Sequence, residues 1–253
     1  MLRDKVSIVT GGASGIGYSI ARAFAQDGAR VVISYVNGEK VKEAAGELGC
    51  DFFAADLIRR ELCKALADYA IEKYGKVDIL VNVAGIQNVS SIEDFPEDKW
   101  DFMISLMLTA PFLLTKYVWG SMKSQGWGRI INLDSIHGLV ASEFKSAYVS
   151  AKHGLIGLTK TAALEGGEYG ITVNAICPAY VRTPLVDNQI DAQAKNHGIS
   201  REDVVGSIML QKSAIKTLIE PDEVAETVRF LCSDAANHMT GAAITMDGGW
   251  TAG

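Results

Sequence analysis

Thr10-Gly11-Gly12-Ala13-Ser14-Gly15-Ile16-Gly17 closes the apolar run Val6–Thr10 and opens a segment with Ile16, Ile20 and Phe24 at helical spacing, which stops at Gly28. A strand, a glycine turn and a helix in that order remove side chains where backbone must approach a pyrophosphate. The helix N-terminus then offers free N–H groups and its positive dipole end to the anion. Gly11, Ser14, Gly15, Ile16 and Gly17 are therefore candidate dinucleotide-binding residues. Read without a ligand, the same glycines form a tight turn; their position after the first strand favours the pyrophosphate.

The alternation continues downstream. Arg30–Tyr35, Cys50–Ala54, Ile79–Asn82, Arg129–Leu133, Thr172–Cys177 and Ala243–Met246 read as strands. Glu39–Leu48, Arg59–Tyr74, Glu97–Lys123, Ser146–Tyr169 and Asp222–Cys232 read as helices between them. Strands alternating with helices imply right-handed βαβ units. The expected fold is α/β: a single doubly wound Rossmann domain over residues 1–253, with a seven-stranded parallel sheet and helices on both faces. Residues 186–217 break the rhythm. Because they follow the sixth strand, at the edge where open α/β sheets bind ligands, they are expected to form a helical substrate lid.

Composition narrows the functional classes. A net charge of −6 and the lack of any basic stripe argue against nucleic acid as a partner. Cys50, Cys63, Cys177 and Cys232 are scattered without a Cys-x-x-Cys pair, which suggests reduced thiols and a cytoplasmic setting. The four histidines lack ligand spacing, so no catalytic metal is expected. Strand-like sequence from Lys5 leaves no room for a signal peptide, and no apolar run is read as long enough to span a membrane.

Tyr148 and Lys152 stand four residues apart in Tyr-Val-Ser-Ala-Lys, with Ser135 upstream at the end of the fifth predicted strand. On a helix the two share a face. A phenol ordinarily ionises near pH 10, so neutral-pH proton transfer needs its anion stabilised. An ammonium about 4 Å away, at an effective dielectric near 20, contributes on the order of 4 kcal/mol. Ser135 can donate a hydrogen bond to a reacting oxygen. Ser135, Tyr148 and Lys152 are the catalytic candidates, and Lys152 can also hold the nicotinamide ribose.

At the adenosine end, many dinucleotide folds carry an acidic residue on the second strand. Tyr35 takes that place here, and no Arg or Lys in Ala13-Ser14 or Tyr35–Asn37 awaits a 2′-phosphate. NAD is the expected cofactor and NADP stays open. Asp56, with its neighbour Leu57, follows the third strand and could meet the adenine amino group; its plain alternative is a loop aspartate. Asn82, Ala84 and Gly85 end the fourth strand, where small residues let the chain pass close to the cofactor.

Through the glycine loop, Asn82–Gly85, Ser135, Tyr148 and Lys152, the chain resembles the short-chain dehydrogenase/reductase family over nearly its full length. Pro178-Ala-Tyr-Val-Arg-Thr183 resembles the family's Pro-Gly-x-x-x-Thr stretch, with Ala179 replacing glycine. The resemblance implies that the Val181 backbone and the Thr183 hydroxyl bind the nicotinamide carboxamide, and that the protein is a homotetramer. Ala84-Gly-Ile-Gln87, Ser135-Ile-His-Gly-Leu-Val-Ala-Ser142, Ala151-Lys-His-Gly154, Thr183-Pro-Leu-Val-x-x-Gln189-Ile-Asp191 and Asp247-Gly-Gly-Trp250 resemble the bacterial D-3-hydroxybutyrate dehydrogenases within it. That likeness implies that Gln87, His137, Lys145 and Gln189 hold the substrate carboxylate. Two amides, an imidazole and an ammonium suit a compact anion. The implied activity is reversible hydride transfer between NAD and a small 3-hydroxy acid, D-3-hydroxybutyrate going to acetoacetate.

Three positions depart from these relatives. Asp134 precedes the serine where a small residue is usual, and Tyr180 stands where tryptophan is found. Met107 aligns with the family's catalytic Asn, whose backbone carbonyl supports a proton-relay water. A thioether cannot replace an amide's hydrogen bonds. Pro111, however, lacks the N–H that the Met107 carbonyl would normally accept from, so that carbonyl is expected to be free for the water. Two other readings stay open: a family member acting on a neutral alcohol, sugar or ketone with NADP, and a dinucleotide-binding scaffold impaired by Met107.

Overall fold

The computed structural model describes residues 2–252, with the side chains of all but 185, 192, 196 and 197. Seven strands form one parallel sheet in the order β3-β2-β1-β4-β5-β6-β7. They are β1 (Val6–Thr10), β2 (Arg30–Tyr35), β3 (Asp51–Ala54), β4 (Ile79–Asn82), β5 (Gly128–Leu133), β6 (Ile171–Pro178) and β7 (Ala243–Met246). The strand order reverses between β1 and β4, which opens a crevice at their carboxyl ends. The expected doubly wound sheet is the one found.

Each central strand is apolar on both faces because both are covered. Val9, Ile79, Val81 and Ile131 point to one side, beneath α1 (Gly15–Gln26), α2 (Gly38–Leu48) and α9 (Pro221–Leu231). Ile8, Leu80 and Ile130 point to the other, beneath α3 (Arg60–Tyr74), α5 (Ala110–Gln125) and α6 (Ser146–Gly166). The Asn37 side chain accepts from Lys40 N–H at 2.9 Å and so starts α2 at Gly38, one residue before the sequence reading. Two charge pairs join the first and last large helices across the chain: Arg22 with Asp222 at 2.5 Å and Arg229 with Asp27 at 2.8 Å.

The helix expected over Glu97–Lys123 is present but not uniform. It runs as α4 (Glu97–Ile104), a π-helical turn (Ser105–Thr109) and α5. The cause is Pro111, whose ring would strike the carbonyl four residues back and which has no N–H to donate. The widened turn relieves both, and the Ala110 N–H donates to Ser105 instead of to Leu106. The same segment corrects the reading of apolar length. Glu97–Gln125 is a continuous 29-residue helical stretch with a mean hydropathy of 1.4 in its most apolar window, enough by length and composition to cross a bilayer. Its apolar character serves the core: Leu113, Leu114, Val118 and Met122 are buried against the sheet and α3.

After β6 the chain forms α7 (Pro184–His197), a short turn α8 (Arg201–Asp203) and a second π-helical turn (Val204–Met209). These close over a small core of their own: Ile190, Val204, Met209, Leu210 and Leu218, with Tyr180 packed against it. The segment is joined back to the end of β6 by a bridge between Val181 and Ile219. It stands at the carboxyl edge of the sheet.

Candidate active site

The glycine loop lies where β1 ends and α1 begins, on the crevice side of the sheet. Gly11 adopts φ +68°, and a Cβ there would come within 3.2 Å of the Ala84 amide nitrogen. A Cβ on Gly17 would collide with the Gly11 carbonyl oxygen. These contacts leave a bare backbone cradle capped by the α1 N-terminus, which fits a pyrophosphate. Ser14 occupies the N-cap but gives its side chain no capping bond. Ile16 packs inward against the sheet. Thr183 stands directly over the loop, its methyl group 3.2 Å from where a Gly15 Cβ would lie, and its hydroxyl caps α7 by accepting from Val186 N–H. Val181, at the bridge, is buried beside it.

The adenosine end is less committed. Tyr35 ends β2 with Lys40 lying 5.4 Å from its ring centre. Asp56 accepts from Ile58 N–H at 3.3 Å, as a loop aspartate does, and its other carboxylate oxygen has no hydrogen bond among the described residues. Leu57 turns its side chain into the core under α3.

On the crevice floor Asn82 donates to Asn132 at 2.8 Å, Asn132 donates to Thr159 at 2.9 Å, and Thr159 donates to the Leu155 carbonyl at 2.8 Å. This chain ties β4 to β5 and α6, and leaves the buried Oδ1 of Asn82 without a partner among the described residues. The Thr10 hydroxyl accepts from Val83 N–H (2.9 Å) and Ala84 N–H (3.1 Å), holding the segment before Gly85 in place. Asn132 and Thr159 carry no expectation from the sequence, and Thr10 only that of opening the glycine loop. Each is an ordinary polar residue within an apolar element, and that mismatch was the available signal.

Ser135, Tyr148 and Lys152 converge. Ser135 caps the 3₁₀ turn Ile136–Gly138 by accepting from His137 N–H at 3.2 Å, and its hydroxyl lies 3.3 Å from His137 Nδ1. The His137 ring meets the Tyr148 ring edge to face at 5.9 Å. The Lys152 ammonium is buried, donates to the Leu133 carbonyl at 2.6 Å, and lies 5.7 Å from the Tyr148 ring centre. One turn of α6 thus brings cation and phenol together, while the end of β5 supplies the serine.

His137 makes a second contact, Nε2 to the Ser142 hydroxyl at 2.7 Å. Burial, with the Lys145 and His153 charges, lowers its pKa to about 4, so it is a neutral imidazole at physiological pH. Lys145, at the N-cap of α6, is half-buried, and desolvation lowers its pKa; the described residues give it no carboxylate partner. Gln87 follows β4 in a loop tied to the Lys145 loop by Ser90 N–H donating to the Phe144 carbonyl at 2.9 Å. Its side-chain oxygen is buried without a partner among the described residues. Gln189 is half-buried on α7, and no described hydrogen bond joins it to the other three. Ser142 and Trp250, whose ring lies 6.5 Å from His137, were missed as neighbours of the site. Both lie in stretches that resemble the relatives, Ser135–Ser142 and Asp247–Trp250, and that resemblance was the available signal.

Met107 is buried at the π turn, its sulfur 3.3 Å from where a Gly85 Cβ would stand, in a cluster with Met103, Ala147 and Ala151 that also packs on Tyr148. The alignment with the family's Asn therefore corresponds to a position beside the candidate catalytic tyrosine.

A profile of the family described as Enoyl-(Acyl carrier protein) reductase matches residues 11–251. The chain is 43% identical to a D-beta-hydroxybutyrate dehydrogenase of Cupriavidus necator, over the whole of both chains. The chain belongs to the short-chain dehydrogenase/reductase family. It is also 46% identical to an uncharacterized oxidoreductase of Bacillus subtilis, covering 99% of this chain and 100% of that one. Among solved structures, a single-substitution variant of the actinorhodin polyketide ketoreductase with NADPH superposes with a TM-score of 0.92 at 32% identity, covering 99% of both chains. As a short-chain dehydrogenase/reductase, the protein is an oxidoreductase that uses a nicotinamide dinucleotide.

Proposed function

We propose that the protein transfers hydride between NAD and a small 3-hydroxy acid, interconverting D-3-hydroxybutyrate and acetoacetate. The observation that carries this reading is the half-buried Lys145 ammonium at the start of α6, without a described acidic partner, whose charge acts on the neutral His137 that contacts Ser135 and Tyr148. A desolvated cation needs an anion, and a substrate carboxylate would supply one. The full-length likeness to a D-beta-hydroxybutyrate dehydrogenase supports the same substrate class.

A nicotinamide dinucleotide, when bound in its oxidised form, would supply the acceptor for the hydride that leaves C3 of the hydroxy acid. Gly11, Gly15 and Gly17 would hold its pyrophosphate, Asn82, Ala84 and Gly85 would line the crevice beneath it, and Val181 and Thr183 would close over the nicotinamide end. Tyr148 takes the hydroxyl proton in oxidation and returns it in reduction. Ser135 donates to the same oxygen, and Lys152 stabilises the phenolate. Gln87, His137, Lys145 and Gln189 orient the carboxylate, with α7 and the turns after it covering the pocket as a lid. A homotetramer is proposed with this reading. Phe112 on α5 and Leu164 on α6, 47% and 86% exposed, provide apolar surface on adjacent helices for it.

The test is growth of the reduced-nicotinamide absorbance band with D-3-hydroxybutyrate and either NAD or NADP. Turnover with NAD and rejection of neutral alcohols is the expected result. Activity confined to neutral alcohols, or to NADP, would replace the reading. NADP has a specific observation in its favour: Tyr35 carries no charge to repel a 2′-phosphate, and Lys40 lies beside it.

A further inference from the structure

Asp134 is buried at 3% exposure between the end of β5 and the turn that carries Ser135. One carboxylate oxygen accepts from the Ser135 N–H at 2.7 Å. The other is buried with no hydrogen-bond partner among the described residues. The carboxylate lies so close to the turn that a Cβ on Gly138 would collide with its Oδ1. The residue before it, Leu133, is the one whose carbonyl holds the Lys152 ammonium.

The groups facing Asp134 come from every element around it. Helix α6 brings Lys152 and His153, β6 brings the Cys177 thiol, and the turn brings the Ser135 amide. Lys152 and His153 favour its charged form; desolvation opposes it more strongly and raises its pKa to about 6. The Cys177 thiol is pushed up to about 12 by burial and by Asp134, so it stays neutral. At neutral pH the carboxylate is therefore ionised, and its charge acts on Lys152 through space, with no direct ion pair between them among the described residues.

We propose that Asp134 is a positioning residue that counters the Lys152 ammonium and fixes the Ser135 amide, so setting the pH at which Tyr148 becomes a working base. The carboxylate attracts the ammonium and repels the phenolate, so it moves the acid limb of the oxidation profile upward. The same charge, through the Ser135 backbone, holds the serine hydroxyl facing His137. This inference rests on the reading of Tyr148 as the acid–base group, and its test separates the two.

Asp134→Asn keeps an acceptor for the Ser135 amide and removes the charge. Asp134→Ala removes both. Tyrosinate absorbance is titrated in each protein without substrate, with the Tyr148→Phe spectrum subtracted, and the pH profile of kcat is measured alongside. Both variants should lower the Tyr148 midpoint by about half a unit to one unit, and the Ala variant should also lose turnover by about tenfold. Midpoints unchanged in both variants overturn the proposal even if the enzyme is active. Absence of all turnover, with the spectroscopic midpoint still moving, removes the functional reading and leaves Asp134 in its place. If neither variant folds, ¹³C-aspartate resonances of the unsubstituted protein decide: one carboxyl must ionise well above the ordinary range, and a full set of ordinary titrations overturns the proposal.

Discussion

The Lys152 ammonium lies 5.7 Å from the centre of the Tyr148 ring, one helical turn along α6. It is anchored at 2.6 Å to the Leu133 carbonyl, so its direction is set by the sheet and not by its own flexible stem. A cation fixed at that range in a buried setting acts directly on the phenol. Its field is worth more there than on a solvated surface.

Tyr148→Phe should therefore lower kcat by about a thousandfold, in the range of a lost acid–base group, while dinucleotide binding measured by fluorescence titration changes little. Turnover retained in the Phe protein would defeat the role given to Tyr148.

The sheet was legible because each strand is a short β-branched or apolar run closed by a glycine or polar turn, and the helices between them have a clear period. Ser135, Tyr148 and Lys152 were legible for a related reason: helical spacing alone puts 148 and 152 on one face. What spacing cannot reveal is contact across elements. Asn132, Thr159 and Thr10 join three strands to α6 only after folding, and Ser142 reaches His137 across a loop. Pro111 is expected from the sequence to deprive the Met107 carbonyl of its donor; the structure shows the helix widening there to a π turn, which the sequence does not encode by period.

That turn yields a second prediction. The Met107 side chain is packed among apolar neighbours and makes no polar contact among the described residues, so any relay water must rest on a backbone carbonyl, and Pro111 lacks the N–H that would compete for one. Met107→Asn should change kcat by less than about tenfold and destabilise the fold by about 1–3 kcal/mol, because it buries an amide in a dry cluster. Pro111→Ala restores a donor and should slow turnover. Stopped-flow rates and thermal unfolding check both, and a gain of orders of magnitude in the Asn protein would reassign the role to a side-chain amide.

His137 and Asp134 pull acid stability in opposite directions. The folded His137 pKa of about 4 lies below the unfolded value of about 6.5. Its contribution is present above pH 6.5 and is lost as pH falls from 6.5 through 4, by up to about 3 kcal/mol. The folded Asp134 pKa of about 6 lies above the unfolded value near 4. Its contribution is present below pH 4 and is lost as pH rises from 4 through 6, by a similar amount. The two effects offset each other between pH 4 and 6.5. Chemical denaturation should show His137→Gln stabilised relative to wild type more at pH 4 than at pH 7. Asp134→Asn should show the reverse.

Lys145 offers the sharpest test of substrate charge. Its ammonium is half desolvated, without a described acid to neutralise it, and an anion in the pocket would relieve that cost. Lys145→Met removes the charge while keeping much of the apolar stem. KM for acetoacetate should rise at least about tenfold, since a charge-assisted bond contributes about 1.5–3 kcal/mol. KM for the neutral amide of the same acid should barely move, because Lys145 has no charge to meet there. Raising the salt concentration should weaken acetoacetate binding only modestly in the wild type, as a half-buried pair is poorly screened. Equal losses for acid and amide would mean that Lys145 shapes the loop and does not hold a carboxylate.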